Sequence, residues 1–360
     1  MAVVIALQGT SAVYVTVGLS PLAELMSCLH ALVEPEHHPE TRPWLRLVRT
    51  NMPAELHSSL ESYAPLWARR RCRLLLPPGL PLGQSLPDEL DLLRRMPLDL
   101  FTDTAAEAVH GADFDTVGLL ADPARHDAYV AACERRSFRR GELARKLVSD
   151  PEGTRAGLLD LLTRCAADFF DTEWVRVRNR LETECARTRA TLRTLSLPEA
   201  LASLSPNAVV RTDPPAVVFD KLQPLRVDLR GRRCLLVPSA HVWPHLIVKD
   251  NPGFPVVVHF PVGNAGQANT AALAQVRLRL AILADPARLA LCRHLVNESI
   301  TTSELARRTG MTRPQVSRHL TRLREADLLI SRRDGRLVHH RLDVQRLKQL
   351  GVDVLTAIVR

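Results

Sequence analysis

Apolar positions along this chain change their period several times, and each change marks a predicted element. Val3–Leu7 and Val13–Val17 are β-branched runs split by Gly9-Thr10-Ser11, which predicts two short strands. Ser20-Pro21 then opens a helix in which Leu22, Leu25, Met26, Leu29 and Leu32 keep helical spacing until Pro35 and Pro39 break it. Further helices are predicted at Trp44–Arg49, Pro87–Met96 and Ala124–Leu147. A long one runs from Gly153 through Thr194, with Leu158, Leu161, Leu162, Cys165, Phe169, Leu181, Cys185 and Leu192 on recurring faces. Pro77, Pro78, Pro81 and Pro87 predict a stiff connector. From Pro214 the pattern turns to strands at Ala216–Phe219, Leu225–Leu229, Arg233–Val237 and Val256–Phe260, with Arg230-Gly231-Arg232 as a hairpin turn.

The uncharged segment Pro261–Thr270, rich in Gly and Asn, predicts a linker. Beyond it, Leu273, Val276, Leu280 and Leu283 form the stripe of one helix, and Asp285-Pro286 caps and starts a second through Leu295. Thr301-Thr302-Ser303-Glu304 is the signature of a capping box, and the helix it starts ends at Gly310. Thr312 then caps a further helix with Gln315 at its third position. Val316, Leu320 and Leu323 would be its buried stripe, with His319 beside them and Arg313, Ser317, Arg318, Thr321 and Arg322 outward. Two helices about a glycine-centred turn predict a helix-turn-helix. Leu329–Arg333, the turn Asp334-Gly335 and Arg336–Leu342 predict a hairpin with Arg332, Arg333 and Arg336 at its tip. A last helix, Val344–Val359, carries Leu347, Leu350, Val354, Leu355 and Ile358.

Charge sharpens this picture. Leu273–Arg360 holds seventeen Lys/Arg against eight Asp/Glu, which equals the net +9 of all 360 residues, so residues 1–272 are neutral overall. A surplus confined to one region is the footprint of a polyanion-binding module. Arginine forks pair with guanine edges or phosphates, and hydroxyls do either job more weakly. The seven cysteines are scattered with no CxxC pair, which fits a reducing compartment and neither a disulfide framework nor a zinc knuckle. No basic residue precedes Arg42 and no run approaches the length of a membrane span, so a cytoplasmic location without membrane is expected.

The segments LADPARLALCRHL (283–295), TTSELARRTGMTRPQVSRHLTRLREADLL (301–329) and SRRDGRLVHHRLD (331–343) resemble the winged helix of the ArsR/SmtB family of bacterial repressors. The resemblance implies a homodimer paired through the Leu273–Leu283 and Val344–Val359 helices and bound to a pseudo-palindromic operator until a signal releases it. It places recognition-helix contacts on Arg313, Ser317 and Arg318. Pro314 departs from the small polar residue usual there, and His340 stands where an aromatic is common. The family's metal ligands are not matched: the Ser303–Arg308 helix has no cysteine, and Asp343 lacks the accompanying histidine. Residues 17–32, 34–40 and 233–248 resemble an uncharacterised domain that precedes such winged helices in regulators of GC-rich bacteria.

Other chemistry is weaker. The string Glu34, Glu36, His37, His38 and Glu40 is expected to be a solvated loop between prolines, not a metal cluster. Pro244 argues against His241 and His245 sharing a helix face, and His339 and His340 should point to opposite sides of a strand. Gly263-Asn264-Ala265-Gly266 lacks a nucleotide fingerprint. No GxSxG, HExxH or Walker loop is present.

The expected fold is α+β and mainly helical, with a C-terminal winged helix-turn-helix and a larger helical N-terminal region with short β-strands. Residues 1–262 form a regulatory or dimerisation region, 263–271 a linker and 272–360 the DNA-binding domain. The expected function is a DNA-binding transcriptional regulator, a dimeric repressor with a possible small-molecule effector, no cofactor, no metal and no catalysis. The DNA-binding set is Thr312, Arg313, Gln315, Ser317, Arg318, Thr321, Arg322, Arg332, Arg333 and Arg336. The alternative is a ligand-binding protein or enzyme that uses its winged helix for autoregulation.

Overall fold

The computed structural model describes the backbone of residues 2–358 except 39, 40, 69, 80, 113, 206, 207, 222, 223, 263, 264, 297, 335 and 336. Side chains of 37, 265–273, 334, 352 and 355–358 are also outside the description. The chain divides into two compact units, Met1–Gly266 and Gln267–Val359.

The first unit begins with β1 (Ala2–Ala6), β2 (Val15–Val17) and α1 (Pro21–Val33), followed by α2 (Arg42–Asn51), α3 (Ala54–Tyr63), α4 (Leu86–Arg95) and α5 (Leu98–His110). Next come α6 (His126–Glu134), α7 (Phe138–Ser149), α8 (Pro151–Cys165), α9 (Asp171–Thr194) and α10 (Leu197–Ala202). Strands β3 (Ala208–Thr212), β4 (Pro215–Asp220), β5 (Leu225–Asp228), β6 (Cys234–Ser239), β7 (Ile247–Lys249) and β8 (Val256–Pro261) complete it. The second unit holds α11 (Ala265–Leu283), α12 (Pro286–Leu295), β9 (Ile300–Thr301), α13 (Thr302–Thr309), α14 (Arg313–Glu325), β10 (Leu329–Asp334), β11 (Leu337–Leu342) and α15 (Val344–Ile358). The chain is therefore α+β and mainly helical, as expected.

Two four-stranded sheets organise the first unit, ordered β3-β4-β1-β5 and β2-β6-β8-β7. All six residues of β6 are buried because both of its faces are covered. Leu235 and Val237 pack into the helical core with Leu25, Leu29, Trp67 and Phe101, while Cys234 and Leu236 face the core shared with Val217, Phe219 and Val227 of the other sheet. Arg230-Gly231-Arg232 is not a hairpin turn. The strand before it pairs in parallel with β1, and the strand after it joins the second sheet between β2 and β8. Gly231, at φ +67°, lets the chain turn between the two layers.

The predicted helix over 124–147 is two helices. Arg135-Arg136-Ser137 separates α6 from α7, and the two pack so closely that a Cβ at Gly141 would collide with Glu134. The predicted 153–194 helix is nearly continuous, with a π-helical turn at Ala166–Phe170 that buries both Phe169 and Phe170. Helices α3, α5 and α10 and strands β3 and β7 were not among the expected elements, although Ser196 and Glu199 form the capping box that starts α10. Helix α11 takes in much of the segment expected to be a linker, and Gly263-Asn264 lies outside the described residues.

A buried ionic triad holds the first unit's elements in register. Glu24 of α1 accepts from Nδ1 of His241 at 2.7 Å, and Glu173 of α9 lies 2.9 Å from Nε2 of the same ring. The Ala240 amide also donates to Glu24, and Nε of Arg176 donates to Glu173 at 2.8 Å. Burial opposes the charge on both carboxyls, but bonding to His241 outweighs it, and each is held below its ordinary 4.5. Burial likewise opposes the imidazolium, yet Cys28, Glu173 and Glu24 hold His241 well above 6.5. The charged form is the folded form.

Helix α1 meets the same loop a second time. His30 lies against His245, with ring centroids 5.5 Å apart, and His38 stands 5.1 Å from His30. The Glu34–Glu40 string is thus not simply a solvated loop. Glu36 is exposed, but His38 is 0% exposed, and residues 39 and 40 and the His37 side chain lie outside the described residues. The expectation for Pro244 stands in part: His241 and His245 share no face, but His245 joins His30 instead.

Glu24→Gln leaves a buried imidazolium with one carboxylate and should cost about 3–5 kcal/mol in urea denaturation of the full chain. In the native protein the triad's contribution should be complete between about pH 4.5 and 6.5. It declines as pH falls through the lowered carboxyl values, and again as pH rises through the raised value of His241. A pH series of unfolding midpoints that is the same for native and Glu24→Gln chains would remove the triad from this role.

Candidate nucleic-acid interface

The second unit packs α12, α13, α14 and the hairpin about Leu291, Leu295, Ile300, Leu305, Val316, Leu320, Leu323, Leu328 and Leu342. Each helix start is set by a local cap. The Asp285 carboxylate accepts from Arg288 N at 3.0 Å, and Thr301 Oγ1 from Glu304 N at 3.3 Å. The reciprocal half of the box expected at Thr301 is absent among the described residues. The Glu304 carboxylate instead takes Nε of both Arg307 and Arg308, at 2.9 and 2.7 Å, and those bonds hold it down to about 2. Gly310 closes α13 at φ +70° and ψ 9°, a left-handed cap that turns the chain toward α14.

Helix α14 carries a complete capping box, with Thr312 Oγ1 accepting from Gln315 N and the Gln315 carboxamide oxygen accepting from Thr312 N at 2.8 Å. Thr312 and Gln315, expected as DNA contacts, are therefore first of all capping residues, although both remain exposed. Val316, Leu320 and Leu323 face the core, so Arg313, Ser317, Arg318, Thr321 and Arg322 are left on the opposite, exposed face. This face matches the expectation residue for residue.

The structure separates the arginines by charge compensation, which composition cannot do. Arg307 and Arg308 are paired with Glu304, Arg308 also with Glu298, and Arg322 with Glu325 at 3.0 Å. Among the described residues no carboxylate lies within ion-pair reach of Arg313, Arg318 or Arg332. Uncompensated guanidinium groups at the start of a helix, beside its positive dipole end, make a strong anion-facing surface.

Strands β10 and β11 pair antiparallel from Leu329↔Leu342 to Asp334↔Leu337, with β9 added on the β11 side at His340↔Ile300. This register makes Asp334, expected in the turn, a strand residue, while Gly335 lies outside the described residues. Arg336 lies outside the described residues, while Arg332 and Arg333 are exposed. His340 points inward, with Nδ1 2.9 Å from Ser331 Oγ and Nε2 3.3 Å from Thr302 Oγ1. It thereby fastens the hairpin to the start of α13. Sequence reasoning separated the two histidines by face, but found no role for His340. Arg279 of α11 was also missed. Its guanidinium is buried, donates from Nε to the Ala326 carbonyl at 3.0 Å and reaches Asp353 of α15 at 3.4 Å.

Residues 1–266 match the family described as "Family of unknown function (DUF5937)", and residues 283–332 match one described as "Helix-turn-helix domain". The chain is 36% identical over 74 residues to the HTH-type transcriptional regulator KmtR of Mycobacterium tuberculosis (strain ATCC 25618 / H37Rv), covering 21% of this chain and 57% of that protein. It is 33% identical over 61 residues to the nodulation protein NolR of Rhizobium meliloti, covering 17% and 50%. The chain thus spans about half the length of the curated relatives it matches. Among solved structures, NolR from Sinorhizobium fredii is 27% identical, with 26% of this chain and 90% of that one covered and a TM-score of 0.21. Reduced HlyU from Vibrio cholerae N16961 is 24% identical, with 24% and 92% covered and a TM-score of 0.21. The second unit carries a helix-turn-helix domain of the ArsR/SmtB type.

The turn before α14 gives a stability test. Gly310→Ala places a Cβ in left-handed backbone and should cost about 1–2 kcal/mol in thermal denaturation. Gly310→Asn, whose side chain tolerates that conformation, should cost less. Equal melting of all three proteins would show that the glycine does not set the turn.

Proposed function

The chain belongs to the DUF5937 family of unknown function, and we propose that its members with this architecture are DNA-binding transcriptional regulators, here a dimeric repressor of ArsR type. The carrying observation is the outer face of α14, where Arg313 and Arg318 stand uncompensated opposite the buried Val316, Leu320 and Leu323. The names of the two curated relatives, a transcriptional regulator among them, support the same reading.

In this reading α14 enters the major groove of an operator. Arg313, Ser317 and Arg318 meet base edges, and Thr321 and Arg322 reach the flanking backbone. Thr312 and Gln315 present the capped helix start to a phosphate. Arg332, Arg333 and Arg336 of the hairpin lie along the duplex, adding affinity without sequence choice. The proposed domain limits are 1–262, a linker at 263–271 and 272–360.

Homodimerisation through α11 and α15 fits the surface of the second unit. Leu280 on α11, next to the Arg279 that reaches Asp353 of α15, is an apolar side chain 46% exposed. A pseudo-palindromic operator follows from a two-fold dimer. Residues 1–262 would receive the signal, a small-molecule effector, in a cytoplasmic regulator. Among the described residues no helix is long and apolar enough to cross a membrane.

Fluorescence anisotropy with duplexes selected from genomic DNA tests this reading. Affinity should fall steeply as salt is raised, since phosphate contacts release counterions. Arg318→Ala should weaken the selected site by about 1–3 kcal/mol and spare random duplex. Arg332→Ala should weaken both alike. Failure of the folded native chain to bind any duplex in dilute buffer would exclude the groove reader.

A further inference from the structure

Three histidines from separate segments converge inside the first unit. His30 comes from the last turn of α1, His38 follows the short helical turn after Pro35, and His245 lies in the loop between β6 and β7. One ligand atom from each lies within 4.8 Å of the other two. The ring centroids form a nearly equilateral triangle of 5.1, 5.5 and 5.5 Å, and the planes are inclined at 78°, 76° and 66° rather than stacked.

These dimensions are those of three imidazoles around one ion. A metal–nitrogen bond of about 2.0–2.1 Å, with each ring centre about 1.1 Å behind its nitrogen, places tetrahedral centroids roughly 5.2 Å apart. Tetrahedral bonds of that length space the nitrogens about 3.3–3.4 Å apart, so atoms at the 4.8 Å limit close by about 1.5 Å when the ion binds.

The second line of support is the hydrogen bond behind the ring of His30. Its Nδ1 lies 2.8 Å from the Trp67 carbonyl oxygen. A carbonyl only accepts, so Nδ1 carries the proton and the buried Nε2 carries the lone pair. An outer N–H donated to a backbone carbonyl is the usual brace of a ligating histidine, because it fixes both tautomer and ring orientation.

We propose that His30, His38 and His245 form a three-histidine site for a divalent transition-metal ion of the zinc class, with a fourth coordination position open. Imidazole donors suit zinc, copper, iron and nickel, and exclude magnesium and calcium, which take oxygen. Three neutral ligands leave the ion's two charges uncompensated, and Arg71 and Lys221 stand nearby. The open position therefore takes an anion such as hydroxide or a carboxylate rather than a further neutral donor. The site lies in a unit for which the family match supplies no function, and it does not depend on the groove reader.

The experiment uses the full chain without an affinity tag, stripped with a chelator and titrated with cobalt(II), then with zinc. One cobalt per chain should bind, with the visible absorption of a low-coordinate nitrogen site, and one zinc should displace it. His38→Gln and His245→Gln should each weaken binding by at least about 100-fold, in line with the loss of a ligand rather than of its brace. His339→Gln, in the second unit, should bind as the native chain does. Circular dichroism of each variant checks that the fold persists. If a variant fails to fold, the native titration still decides the matter. The proposal is overturned if the folded native chain takes up no stoichiometric cobalt or zinc. It is also overturned if folded His38→Gln and His245→Gln bind metal like the native chain, or if calorimetry finds inorganic phosphate bound where metal is not.

Discussion

A buried charge tolerates no neighbour that fails to neutralise it, and the first unit is arranged around one such charge. His241 is held between Glu24 and Glu173, and the three come from the loop just after the fully buried strand β6, from α1 and from α9. Sliding any of these by one residue strands an ion inside the protein. The triad therefore sets where β6 stops against α1 and α9, and thereby where the following loop runs. That loop brings His245 to His30 six residues further along α1. Apolar packing around Trp67, Phe101 and Leu235 supplies bulk stabilisation but tolerates shifts that the ionic contact does not.

The second unit follows a different logic. Its helix starts and stops depend on contacts three or four residues away, at Asp285, Thr301, Gly310 and Thr312. Its electrostatic selectivity comes from pairing. Glu304 and Glu298 together offset Arg307 and Arg308 of α13, while Arg313 and Arg318 of α14 have no carboxylate partner among the described residues.

Local determinants explain what was legible. The caps, the glycine turn and the apolar stripe of α14 were all readable because each signal sits within one helical turn of its effect. The half-formed box at Thr301 was not, since it turns on competition for Glu304 by Arg307 and Arg308. In the first unit the strands were visible as β-branched runs but their partners were not. β1 lies beside β4 and β5, more than two hundred residues away, and nothing in the run Arg230-Gly231-Arg232 says that the flanking strands belong to different sheets. The break between α6 and α7 depends on close packing at Gly141. His38 looked like part of a polar string because His30 is separated from it by a proline break and His245, the third ring, lies more than two hundred residues away.

The pairing of β1 bears on how the protein is made. The segment Ala2–Ala6 is synthesised before both of its hydrogen-bonded flanks, since β4 and β5 are translated only after helices α1 to α10. Throughout that interval an apolar, β-branched stretch has no companion and presents open edges to other nascent chains. The helix-turn-helix, built from contacts close in sequence, has no such delay. Synthesis speed and chaperone supply should therefore govern the yield of the first unit far more than that of the second.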